Sequence, residues 1–161
     1  MNPAPAASLP AVGLLAELSE DVRARLAEAG VIEELPVDAY LVSQGQPHDD
    51  LTFIISGKLK VTAHAHGDTV QLAEIGPGHT VGEMNVLDPQ NASADVVVIE
   101  PARVWSISAE ALETLIANDA KTGLEIIRVL ARELCRRLRQ NSETMLKQAE
   151  STRVYFRDND Y

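Results

Sequence analysis

Hydrophobic positions change their period twice along this chain. Near the N-terminus Leu14, Leu15, Leu18, Val22 and Leu26 recur at the spacing of one helix face. Ser19, with Glu20 and Asp21 behind it, predicts a helix start and Gly30 a stop. Two short helices, or one broken near Ser19, fit this segment. From Val31 the texture becomes short runs rich in Val, Ile, Thr and aromatics: VIEEL, AYLVSQG, LTFIISGKLKVTAHA, TVQLAEIG, ADVVVIE and ARVWSIS. Between them lie PVD, QGQPHDD, HGD, GPGH, DPQN and EP, made of the residues that turn a chain. Six or more closely spaced strands without helices between them predict an antiparallel sandwich or jelly roll. Only the stretch from Gly82 to Leu87 interrupts the strand texture.

Helical spacing returns at Ser108, which predicts an N-cap for AEALETLIAND. A longer helix is predicted over KTGLEIIRVLARELCRRLRQNSETMLKQAES. In it Leu124, Ile127, Ala131, Leu134, Leu138, Asn141, Met145 and Gln148 fall on alternating steps of three and four. That is a seam of about three and a half heptads, weakened at Asn141 and Gln148. The seam either lies on the chain's own sheet domain or pairs with a second copy. The helix is long for so small a barrel, which favours a homodimer through Leu124, Ile127, Ala131, Leu134, Leu138 and Met145. The chain divides into a flexible leader over 1–12, a strand-rich domain with flanking helices over 13–120, a dimerisation or lid helix over 121–150, and a tail over 151–161.

Charge sharpens this picture. The net formal charge is −10, but residues 1–120 hold 5 basic against 18 acidic side chains, whereas residues 121–161 hold 9 against 6. An acidic body repels nucleic acid, whose binding draws mainly on phosphate contacts, so no nucleic-acid partner is expected. No apolar run reaches the roughly 18 residues of a membrane span, and MNPAPAASLP lacks the basic and apolar parts of a signal peptide. Cys135 is the single cysteine, which excludes an internal disulfide and a multi-cysteine metal site. A cytoplasmic location is expected.

Two stretches carry a family resemblance. QGQPHDDLTFIISGKLKVT resembles the acidic turn, apolar strand, Ser-Gly hairpin and basic-apolar strand of the cyclic nucleotide-binding domain. LAEIGPGHTVGEMNVLDPQNASADVVV resembles that family's phosphate-binding cassette, and the glycine turns at Gly45, Gly57, Gly76–Gly78 and Gly82 follow in the family's order. Over residues 14–140 the resemblance implies an α+β, mainly β fold: an eight-stranded antiparallel jelly roll (a double-stranded β-helix) with N-terminal helices and a long C-terminal helix. It also implies a ligand-binding cassette of Gly82, Glu83, Met84, Asn85, Val86, Ala92, Ser93 and Ala94. There Gly82 and Glu83 open a helical turn whose amides face the phosphate, and Glu83 accepts from the ribose 2′-hydroxyl, as a carboxylate can.

The sequence departs from the family at two positions. Ala92-Ser93-Ala94-Asp95-Val96 aligns with a segment that normally begins with arginine, and no arginine occurs between Arg25 and Arg103. Asn85 likewise stands where a small residue is usual. The absent arginine is the bidentate partner of the phosphate. Charge-assisted hydrogen bonds contribute on the order of 1.5–3 kcal/mol each, so its loss costs roughly 100-fold or more in affinity. An unpaired Glu83 adds repulsion. Weakened or lost cAMP and cGMP binding is therefore expected. Arg128, Arg132 and Arg136 form a cationic stripe on the long helix, with Arg137 and Arg139 beside it. It is a solvated face, a docking surface, or a lid in which Arg128 or Arg132 replaces the missing cation.

Other features point to weaker alternatives. His64 and His66 lie on one strand face and raise a metal-binding, cupin-like reading, but the spacing to Glu74, His79 and Glu83 misses the cupin pattern. HAHGD reads instead as the tip of a solvent hairpin. No metal site and no catalytic residues are expected, and the chain is not expected to be an enzyme. Only about 20 residues follow Arg139, too few for a DNA-binding module. The expected protein is a stand-alone, non-enzymatic regulatory sensor acting on an unknown protein partner. The alternative is a ligand-free interaction module docking a partner through the C-terminal helix.

Overall fold

The computed structural model describes residues 8–65 and 67–158, with the backbone alone described for residues 148 and 150–158. A short 3-10 turn at Gly13–Glu17 precedes helix α1 (Glu20–Ala29). Six strands follow: β1 (Val31–Leu35), β2 (Tyr40–Val42), β3 (Asp50–Ala65), β4 (Asp68–Ile75), β5 (Thr80–Val81) and β6 (Asp95–Ser108). Helix α2 (Glu83–Leu87) lies between β5 and β6, and helices α3 (Ala109–Asn118) and α4 (Ala120–Asp158) close the chain. The pairing is antiparallel throughout: β1-β6-β3-β4, with β2 on β6 and β5 on β3. This is the expected jelly roll. Its strands number six among the described residues because β3 and β6, 16 and 14 residues long, each run through the length of two. Register shifts at Ile54/Ser56, Ser56/Lys58 and Lys58/Leu59 bend the pair. Pro101, which has no amide to donate, lies in that irregular stretch, where Lys58 pairs Glu100 and Ser56 pairs Arg103.

The lower half of β3 and β6 is buried on both faces, which explains why LTFIIS and ARVWSIS read as nearly continuous apolar runs. Leu51, Phe53, Trp105 and Ile107 face the helices and join Leu15, Leu26, Ile126 and Leu130 in one core. Ile54 and Val104 face the opposite way, into a second core with Leu59, Val96, Val98 and Ala92. Phe53 and Trp105 are cross-strand partners with ring centroids 5.6 Å apart, a geometry favourable for aromatic pairs. Beside them the buried Thr52 and Ser106 hydroxyls hydrogen-bond each other at 2.8 Å.

Ser108 caps α3 as expected, its hydroxyl accepting from the Ala111 amide at 3.2 Å. Ser19 makes no side-chain cap, although α1 begins after it and ends at Gly30. Residues 8–12, grouped with a flexible leader in the sequence, are docked: Leu9 is buried and its carbonyl accepts from Arg23 Nε at 3.0 Å. Residues 1–7 lie outside the described residues. At the other end there is no boundary at residue 151, because α4 continues to Asp158.

Helix α4 packs on its own domain through Thr122, Ile126, Val129 and Leu130. The heptad seam is a different face of the same helix. Leu124, Leu138 and Met145 are 51%, 68% and 69% exposed, Ala131 is exposed, and Ile127 and Leu134 are half-buried.

Candidate functional site

A cavity of about 980 Å³ opens between the α2 region, the ends of the sheet and the middle of α4. Gly82 shapes its floor. It sits in the left-handed region at φ 83° as the N-cap of α2, and a Cβ there would lie 1.9 Å from the Asp50 carbonyl oxygen. No other residue fits without moving β3. Seven of the eight residues expected in the cassette line the cavity: Gly82, Glu83, Met84, Asn85, Ala92, Ser93 and Ala94. Val86 does not; it turns inward and packs against the core beneath the helices.

Glu83 is 3% exposed. Its Oε1 accepts from Arg137 of α4, which also donates to the Thr80 carbonyl at 2.9 Å, the Thr80 hydroxyl at 3.2 Å and Glu133 at 3.0 Å. The expected unpaired Glu83 is thus corrected: a helix arginine neutralises it. Nearly every donor of that guanidinium is used, which holds it as a planar clamp between cassette and helix. Glu83 Oε2 has no hydrogen-bond partner among the described residues, and neither does the buried Nε2 of His48, which lines the same cavity.

Position 92 contributes a methyl group, 7% exposed. Its backbone is strapped to the loop between β2 and β3, the Ala92 amide donating to the Gln46 carbonyl at 2.9 Å and the Gly45 amide to the Ala92 carbonyl at 2.8 Å. Among the described residues the cations lining the cavity are Arg136 and Arg137. Arg128 and Arg132, expected over the pocket, do not line it; both are exposed, and Arg132 approaches Glu17 only at 3.9 Å. Arg136 pairs with Glu17 at 2.9 Å and with Glu133, and these two hydrogen-bonded carboxylates raise its already high pKa further.

Sequence reasoning therefore missed Arg137, Thr80 and His48. A signal for Arg137 existed: it follows Ile126, Leu130 and Glu133 at steps of four, three and four, on the face that packs homeward.

His64 has both ring nitrogens engaged, Nε2 with Asp95 Oδ2 at 2.8 Å and Nδ1 with the Thr69 hydroxyl at 2.8 Å. It pins the β3–β4 hairpin tip to β6. His66, its expected companion in a cupin-like reading, lies outside the described residues, and no group of three His, Cys, Asp or Glu suited to a metal occurs among the described residues. No described helix is long and apolar enough to cross a membrane.

The family model described as the cyclic nucleotide-binding domain matches residues 32–119. The Pycsar effector protein PaPycTIR of Pseudomonas aeruginosa is 32% identical over 138 residues, 85% of this chain and 42% of that protein. The CRP-like cAMP-activated global transcriptional regulator of Mycobacterium tuberculosis is 33% identical over 104 residues, 64% of this chain and 46% of that protein. This chain thus corresponds to less than half the length of either relative. Among solved structures, a cyclic nucleotide-binding domain from Methylobacillus flagellatus superposes with a TM-score of 0.77 at 27% identity, over 81% of this chain and 74% of that one.

Proposed function

This chain belongs to the cyclic nucleotide-binding domain family, and we propose that it is a non-enzymatic sensor whose cavity relays ligand occupancy through α4 to a separate partner protein. The observation that carries this reading is the clamp of Arg137 on Glu83 and Thr80. It makes the position of the long helix depend on the residue expected to meet the ligand's sugar. A ligand that hydrogen-bonds Glu83 shares that carboxylate with Arg137, so binding and helix position are coupled energies. The cassette residues Gly82, Glu83, Met84, Asn85, Ala92, Ser93 and Ala94 form the ligand wall. Ala92 makes cAMP and cGMP weak ligands, because both lining arginines are already held by carboxylates.

The two curated relatives, one an effector and one a transcriptional regulator, match only over part of their length. That proportion suits a sensing module joined to an output. The exposed seam of α4, with Leu124, Leu138 and Met145, supports self-association through this helix. The same face also supports the second reading, an interaction module that docks a partner there and needs no ligand.

The test uses Cys135, exposed on α4 and the single cysteine of the chain, as the attachment point for an environment-sensitive fluorophore. Nucleosides, cyclic mononucleotides and cyclic dinucleotides are titrated against the labelled protein. A saturable signal that Arg137→Met abolishes supports the sensor. Partner capture that is insensitive to Glu83→Gln but lost in Met145→Glu, at an exposed seam position outside the cavity lining, favours the ligand-free module.

A further inference from the structure

Helix α4 presents a third face, distinct from its buried face and from the heptad seam. It carries Lys121, Arg128, Arg132 and Arg139, all exposed. At roughly 100° per residue these four lie within about 40° of one another, about 130° round the helix from Ile126, Val129 and Leu130 and roughly 100–110° from the seam. At a rise of about 1.5 Å per residue the row is about 27 Å long. A dimer formed through the seam leaves it in solvent.

The chain's own carboxylates do not neutralise this row. Among the described residues Lys121, Arg128 and Arg139 enter no ion pair, and Arg132 approaches Glu17 only at 3.9 Å. The nearby acids are directed elsewhere: Glu17 and Glu133 hold Arg136, and Glu125 accepts from the Ser19 amide. A solvated helix face ordinarily mixes the two signs along its length. This one is cationic in a chain whose first 120 residues hold 18 acidic against 5 basic side chains.

Charge complementarity calls for an anionic counterpart, and the body behind the helix decides its kind. Duplex DNA and a bilayer extend past a single helix, so either meets the acidic domain and is repelled. An acidic helix of another protein covers the row alone. Exposed ion pairs are individually weak, so four of them set orientation and speed of encounter more than affinity. Leu124 and Leu146, exposed near the two ends of the row, supply apolar contact. The intervals between the cations are 7, 4 and 7 residues, which a second helix reproduces in either direction.

We propose that Lys121, Arg128, Arg132 and Arg139 form the docking surface for an acidic amphipathic helix of a partner protein, with carboxylates at the same intervals and apolar side chains over Leu124 and Leu146. The inference rests on the separate partner of the sensor reading and names the surface and the chemistry of its docking.

The experiment is fluorescence anisotropy of a labelled, alanine-rich helical peptide with glutamates at those intervals and a leucine at each end, titrated with the full chain at low ionic strength. Saturable binding is expected. The double variant Arg128→Gln with Arg132→Gln is expected to weaken it at least fivefold. Lys60→Gln with Arg103→Gln, the same change of charge placed on the sheet, is expected to alter it less than twofold. An isomeric peptide with its glutamates spread round the helix is expected to bind at least fivefold more weakly. Equal losses in the two double variants, equal affinity for the two peptides, or no binding at millimolar peptide each overturn the inference. Tighter binding of a short DNA duplex or of phosphatidylserine vesicles than of the peptide overturns it in favour of a polyanion. Failure of peptide binding beside a saturable nucleotide response of the Cys135-labelled protein sinks the docking surface and leaves the sensor. Peptide binding without any such response sinks the sensor and leaves the docking surface.

Discussion

Arg137 and Glu83, 54 residues apart in sequence, meet between the long C-terminal helix and the turn that opens the cassette. Glu83 is almost wholly buried, its side chain 4% exposed, while Arg137 keeps 34% of its side-chain surface in solvent. A buried carboxylate is tolerated when it is paired and hydrogen-bonded. The helix therefore provides a counter-charge to Glu83 from the chain itself.

Arg137→Met is expected to destabilise the fold by roughly 1–3 kcal/mol, the cost of stranding a buried acceptor, read from urea unfolding midpoints at constant slope. Combining it with Glu83→Gln should recover part of that loss, since the neutral amide removes the stranded charge. If the two losses simply add, the pair is not coupled.

Gly82→Ala places a Cβ 1.9 Å from the Asp50 carbonyl oxygen at a φ of 83°. The left-handed strain alone is worth roughly 1–3 kcal/mol, and the clash adds to it. Gly45→Ala is the control: φ is 78° and nothing lies within 4 Å of its Cβ. Thermal unfolding is expected to show a clearly larger drop for Gly82→Ala; equal drops would mean the α2 turn yields freely.

The seam on α4 predicts a dimer at micromolar concentration by sedimentation velocity. Leu138→Glu is expected to shift it to monomer without unfolding it. Leu138 is 68% exposed within one chain, and exposed substitutions usually change stability by no more than about 0.5 kcal/mol. A monomeric wild type would leave the face to another partner.

Asp119 caps the start of α4, accepting from the Lys121 and Thr122 amides at 3.1 Å and from the Thr122 hydroxyl at 2.8 Å. The Thr122 amide, then its hydroxyl, hold the carboxyl below the ordinary carboxylate range, with Arg25 adding to the effect. A depressed folded-state pKa gives stability that is present above the unfolded value and lost as pH falls through the folded one. Asp119→Ala should therefore melt below the wild type at neutral pH. The gap should begin to close near the unfolded pKa of about 4 and vanish only below the depressed value. A gap independent of pH would mean the cap acts through something other than its charge.

Much of the fold was legible because its signals are local. Strand runs, turn residues at Gly45 and Gly82 and the Ser108 cap each constrain a few neighbouring bonds, so reading them needs no knowledge of distant contacts. The strand count was less legible: EP at 100–101 reads as a break, yet β6 runs through it because its neighbour β3 continues to pair on either side.

What the sequence alone determined is the jelly-roll fold, the Gly82–Glu83 turn that comes to line the cavity and the absence of arginine at position 92, since each is a matter of which residues stand where. What only the tertiary structure decided is which cation serves the cavity. Helix α4 carries two stripes at heptad-like spacing, one through Leu124, Leu134 and Leu138 and one through Ile126, Leu130, Glu133 and Arg137. Nothing local to a helix chooses between two such faces. The choice falls to the core beneath it, where Ile126, Val129 and Leu130 bury and so turn Arg137, rather than Arg128 or Arg132, toward Glu83.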